Sequence, residues 1–141
     1  MNKILCATRG GEASRRTQEA VIEMARKEGA SILFLYVVDV EFLRLTARGV
    51  RPDVVSTEME HMGEFLLAIA VERAQKAGVL AEAVVLHGPL IEALESAAEE
   101  HGADAVAFGR PAGVESSFSL SDLETMAARI GEDMGIETFI V

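Results

Sequence analysis

Short aliphatic runs alternate along the chain with longer stretches in which apolar residues recur every three or four positions. Each longer stretch closes on a glycine: Lys27-Glu28-Gly29-Ala30, Lys76-Ala77-Gly78-Val79, Glu100-His101-Gly102-Ala103 and Asp133-Met134-Gly135-Ile136. A glycine there suits the left-handed position that stops a helix. Met59, Met62, Leu66 and Ile69 keep helical spacing, as do Leu90, Leu94 and Ala97. Gly88-Pro89 reads as a helix start, because proline at the first helical position gives up no needed hydrogen bond. The pattern predicts β1 at 3–7, α1 at 12–28, β2 at 31–37, α2 at about 55–77, β3 at 81–87, α3 at 89–101, β4 at 104–109, α4 at 119–134 and β5 at 137–141. Near-continuous aliphatic strands are covered on both faces. Their alternation with helices predicts an α/β fold, a single doubly wound five-stranded parallel sheet with helices on both faces. The stretch Val38–Asp53, with Arg44, Arg48, Gly49, Arg51 and Pro52, is the irregular part, a loop long enough to be functional or mobile.

Composition narrows this. The 141 residues suit one domain, 1–141. Half are hydrophobic but only 5% aromatic, so the core is aliphatic. One cysteine, Cys6, excludes an internal disulfide, offers no metal-ligand spacing and lies in an apolar run where a buried, inert thiol is expected. The opening MNKILCA meets Thr8 and Arg9 too soon for a secretory leader. The longest apolar runs, Ile32–Val38 and Phe65–Val71, hold seven residues each, against about 20 for a membrane span. A cytoplasmic protein is expected. The net charge of −10 counts against nucleic acid and against an anionic membrane surface as partners.

Ile4-Leu5-Cys6-Ala7-Thr8 followed by Glu12-Ala13-Ser14 resembles the opening of universal stress proteins. Gly29-Ala30-Ser31-Ile32-Leu33-Phe34-Leu35-Tyr36-Val37-Val38 resembles their second strand. Val85-Leu86-His87-Gly88-Pro89 with Ile91 resembles their third strand and next helix, and Gly102-Ala103-Asp104-Ala105-Val106-Ala107-Phe108-Gly109 their fourth strand. The resemblance implies the sheet order 3-2-1-4-5, with a ligand crevice beyond the carboxyl ends of β1 and β4, where that order reverses. It also implies a homodimer formed by pairing residues 137–141, a strand at the edge of the sheet, with their copy.

ATP-binding members of that family carry an acidic residue after β1, a backbone contact to adenine after β2 and a glycine motif after β4. The motif is a Gly, two residues, a Gly, nine residues, then Gly and Ser or Thr. This chain has Arg9 at the acidic position. After Gly109 the next glycine is Gly113, one residue late, with Arg110-Pro111-Ala112 between. Glu124-Thr125 stands where Gly-Ser is counted back from β5. The expectation is weak or absent binding of ATP, with ATP or another nucleotide the cofactor the resemblance suggests. The candidate ligand contacts, from the resemblance and from the arginines that depart from it, are Ala7, Thr8, Arg9, Gly10, Val37, Phe108, Gly109, Arg110, Gly113 and Thr125.

Charge distribution adds one feature. Seven of the 13 Lys and Arg fall at or beyond the predicted carboxyl ends of β1, β2 and β4: Arg9, Arg15, Arg16, Arg44, Arg48, Arg51 and Arg110. Guanidinium forks match phosphate and carboxylate oxygens, so Arg9 and Arg110 predict an anion in the crevice. The alternative pairs these arginines with Glu12, Asp39, Asp53 or Glu115 on a solvated edge. His61 and His101 read as structural, and His87 ends β3 beside Gly88. Neither a nucleophile elbow nor Ser-His-Asp spacing appears. Three functions follow: a dimeric, non-enzymatic binding or regulatory module in stress response; a nucleotide- or anion-binding switch; and a slow nucleotide hydrolase.

Overall fold

A computed structural model describes residues 1–8, 11–39, 52–111 and 119–141, with the backbone alone at 11–13 and 52. Nine elements follow in order: β1 Lys3–Ala7, α1 Gly11–Glu28, β2 Ser31–Val38, α2 Pro52–Lys76, β3 Ala81–His87, α3 Leu90–His101, β4 Ala105–Phe108, α4 Leu120–Met134 and β5 Glu137–Ile140. All five strands are parallel, in the order β3-β2-β1-β4-β5. The expected fold is thus present, with shifts at element ends. Helix α2 begins three residues earlier than its apolar spacing suggested, at Pro52, whose missing N–H costs nothing in a first turn. The four glycines expected to stop α1 to α4 all have left-handed backbone, with φ between 66° and 78°.

Alternation along the strands divides the core in two. Ile4, Cys6, Ile32, Phe34, Ala105 and Ala107 face α1 and α2, where Val21, Ile22, Leu67 and Ala70 meet them. Leu5, Leu33, Leu35 and Val106 face α3 and α4, where Leu94, Ala97, Leu123 and Ile130 meet them. Helix α2 lies close to the sheet at Gly63, where a Cβ would stand 2.8 Å from the Tyr36 Cγ. Cys6 is fully buried, and burial pushes its thiol up to about 12, so it stays protonated. Among the described residues no helix is long and apolar enough to cross a membrane.

The amino ends of the two central strands are tied by a carboxylate. Asp104 accepts from the backbone N–H of Asn2 at 2.8 Å and of Lys3 at 3.0 Å. The Lys3 N–H bond, and then that of Asn2, hold the Asp104 carboxyl below its ordinary range. A depressed carboxylate stabilises the fold above its unfolded pKa and loses that contribution as pH falls through the folded value. Asp104→Asn should therefore cost about 1 kcal/mol at pH 7, a figure kept small by partial exposure. The gap to the unsubstituted chain should close as pH falls below about 4. Urea melts at pH 7 and pH 3 check both parts.

Candidate functional site

The register that pairs Cys6 with Ala107 brings the ends of β1 and β4 to one level, with Thr8 and Gly109 two residues further along. Strand alternation turns both toward the α1 side of the sheet. The Thr8 N–H donates to the Leu35 carbonyl at 2.8 Å, extending the β1–β2 ladder past the last residue of β1. Thr8 is only 3% exposed, so its hydroxyl needs a partner inside the protein. Gln18 of α1, equally buried, supplies it: Nε2 donates to Thr8 Oγ1 at 2.7 Å. Gln18 Oε1 in turn accepts from Arg73 Nη1 of α2 at 2.8 Å. A polar chain thus runs from the carboxyl end of β1, through α1, to the outer groove between α1 and α2.

Gly109 has a steric role. A Cβ there would fall well inside van der Waals contact distance of Thr17 Oγ1 and 3.2 Å from Thr17 Cβ and Cγ2. Only glycine lets the turn after β4 lie against the first half of α1. Arg110 follows, exposed, with its N–H donating to the Val141 carbonyl at 3.0 Å. Among the described residues no carboxylate stands within ion-pair distance of the Arg110 guanidinium. Arg15 differs, because its Nε bonds Glu19 at 3.1 Å on the exposed side of α1.

The other expected contacts separate. Phe108 is buried, and Ala7 and Val37 pack with it into the α3/α4 layer. Thr125 stands in the second turn of α4, exposed, its hydroxyl donating to the Ser121 carbonyl at 3.0 Å. Arg9, Gly10 and Gly113 lie outside the described residues, as do Arg44, Arg48 and Arg51. The α4 amino end falls instead at Ser119. Its side chain accepts from the Asp122 N–H at 3.1 Å, while the Asp122 carboxylate accepts from the Ser119 N–H at 2.9 Å. This reciprocal box holds the Asp122 carboxyl below its ordinary range through the Ser119 N–H first, and places a negative charge on the helix terminus. Ser119-Leu120-Ser121-Asp122 carries that box in its spacing, so it was readable from sequence. Gln18 left a fainter trace, as a polar residue in line with Val21, Ile22 and Ala25. Nothing local marked Arg73, 55 positions further along the chain.

The Universal stress protein family model matches residues 1–120. The chain belongs to that family. No curated protein matches it. Among solved structures it is similar to a universal stress protein family member from Burkholderia pseudomallei, at 22% identity and TM-score 0.76, over 99% of this chain and 95% of the other. A universal stress protein in complex with cAMP matches at 20% identity and TM-score 0.66, over 99% and 96%. An Arabidopsis thaliana family member with AMP bound matches at 16% identity and TM-score 0.66, over 100% and 91%. These likenesses are of fold.

The contact between Gly109 and Thr17 is testable in this universal stress protein. Gly109→Ala should destabilise by about 2 kcal/mol, the cost of overpacking a closed contact. Made in a Thr17→Ala background, the same change should cost at least about 1 kcal/mol less. Denaturant melts of the four chains give the coupling directly.

Proposed function

We propose that this universal stress protein is a cytoplasmic binding module of the stress response, working as a homodimer, whose crevice between β1 and β4 takes a small anion bearing one phosphate or carboxylate group. The observation that carries the reading is Arg110. It follows the glycine after β4, at the point where strand order reverses, and no carboxylate among the described residues neutralises it. Two neighbours of the same fold, the complexes with cAMP and with AMP, hold ligands with a single phosphate. A triphosphate is less well served. The amino end of α4 has its N3 N–H taken by Ser119, and the Asp122 carboxylate stands at that terminus. A negative side chain there opposes a second anion at the same place. The group bonded to Thr8 is the Gln18 amide, which takes no proton at neutral pH, so the reading is one of binding rather than hydrolysis.

The test is calorimetry with inorganic phosphate, AMP and ATP. The expected result is measurable phosphate and AMP binding, and ATP with Kd above roughly 100 μM. Arg9→Ala/Arg110→Ala should lose the rise in melting temperature that phosphate gives the unsubstituted chain. A low-micromolar ATP affinity, or an equal phosphate response in the double variant, contradicts the reading.

Assembly rests on β5. Its inner edge is fixed by the Val141 N–H donating to Phe108 at 2.8 Å and the Val141 carbonyl accepting from Arg110. In a parallel strand, alternate residues turn both backbone groups to the same side. Thr138 and Ile140 therefore direct theirs away from β4, along an edge flanked by half-buried Phe139 and Ile140. A second β5 laid antiparallel across a two-fold axis would satisfy those groups in a closed pair. Ile140→Pro removes an outward donor and no bond to β4. Light scattering should give a dimer for the unsubstituted chain and a folded monomer for Ile140→Pro. A monomer at micromolar concentration without the substitution, or a dimer with it, overturns the assembly.

A further inference from the structure

Thr8, Gln18 and Arg73 form a hydrogen-bonded chain whose direction is fixed at one end. A guanidinium donates and never accepts, so the Gln18 atom 2.8 Å from Arg73 Nη1 must be the oxygen. The reversed amide would set two donors against each other. With Oε1 committed, Nε2 faces Thr8 and donates to its Oγ1 at 2.7 Å. Thr8 Oγ1 is therefore an acceptor in this bond, and its own hydrogen is left to point elsewhere. Among the described residues nothing accepts that hydrogen, although Thr8 is 97% buried by its 3% exposure. Buried donors are almost always matched. The unmatched one stands at the carboxyl end of the central strand, level with Gly109 and one residue from Arg110 along β4.

We propose that Gln18 and Arg73 are positioning residues that lock the Thr8 hydroxyl as a donor into the crevice, so that the site selects ligands presenting a hydrogen-bond acceptor. The proposal rests on the crevice reading above and deepens it, since it names a selecting group just past β1 beside Arg110 just past β4. Phosphate and carboxylate oxygens fit such a donor. Ligands that offer an ammonium or guanidinium at that point do not. Arg73 is also the only charged member of the chain, and its guanidinium lies in the groove lined by Arg15, Glu19, Glu23 and Lys76. Its charge acts on the crevice through the amide rather than by contact.

Gln18→Glu inverts the last step while keeping the shape. The new carboxylate accepts from Arg73 and also from Thr8, so the hydroxyl turns inward and leaves only a lone pair for the crevice. The contacts that join α1 to β1 and α2 are retained, and a purely structural role predicts unchanged ligand binding. Calorimetry of inorganic phosphate and of AMP on the full chain separates the two. Gln18→Glu and, independently, Thr8→Val should each weaken both probes by about ten-fold, the worth of one charge-assisted hydrogen bond. Thr8→Ser, which keeps the hydroxyl, should bind within about two-fold of the unsubstituted chain. In a Thr8→Val background Gln18→Glu should add nothing, whereas a plain effect of the added charge would weaken binding further. If the unsubstituted chain binds and Thr8→Val binds equally well, the proposal fails and the crevice reading stands. Further weakening by Gln18→Glu in the Thr8→Val background also overturns it. If the unsubstituted chain binds neither probe, both readings fail.

Discussion

Strand β1 is hydrogen-bonded along both edges and covered on both faces, and this double enclosure sets the terms for everything at its ends. Ile4, Leu5 and Cys6 have no exposure at all, with β2 on one side and β4 on the other. A strand so enclosed can be left only at its two ends, and each end carries a polar device that closes it. At the amino end the Asp104 carboxylate collects the N–H groups that precede the ladder. At the carboxyl end the chain must turn toward α1 while Thr8 is still buried. A buried hydroxyl needs hydrogen bonds, and α1 returns over that point with Gln18 in the right turn to supply one. The polar group at this end is thus a consequence of burying β1, and its partner is decided by what reaches it from α1.

The same enclosure explains Gly109. Strand β4 is four residues long and fully buried, and α1 must cross the ends of both β1 and β4 to cover the core. That crossing leaves no room for a side chain between β4 and Thr17. The glycine expected from the sequence as a means for backbone to approach a ligand is therefore also needed for a helix to approach the sheet. The steric requirement holds without any ligand.

How much of this was readable in the sequence follows from range. The elements were legible because aliphatic runs, helical spacing and stopping glycines are local signals, and the strand order came with the family resemblance. Thr8, Gly109 and Arg110 could be placed beside the point where strand order reverses because they follow strands directly. Gln18 and Arg73 were not, since what singles them out is a contact between helices joined through β2 and a long connection. Thr125 shows a different failure. Counting the family spacing backward from β5 stops short of the Ser119 box and lands in the helix interior, because α4 here begins further from β5 than the spacing assumes. A start signal with its own chemistry, Ser with Asp three residues on, is a better guide there than distance along the chain.

A chain of net charge −10 is an unpromising host for an anion if charge is treated as a sum. Position changes the conclusion. Several of the acidic side chains are committed to nearby cations: on helix faces Glu23 to Arg26 at 2.6 Å and Glu72 to Lys76 at 3.1 Å, and on β3 Glu82 to Lys3 at 3.0 Å. Exposed charges beyond a Debye length, about 8 Å at physiological ionic strength, contribute little to a distant crevice. Near the carboxyl ends of β1 and β4 the described polar groups include the Thr8 hydroxyl, bonded to an amide that a guanidinium holds in place, and the Arg110 side chain. The acidic surface then acts at long range, slowing the approach of anions and lowering apparent affinity at low salt. Local donors and global charge are thus opposed in this protein, and salt shifts the balance between them.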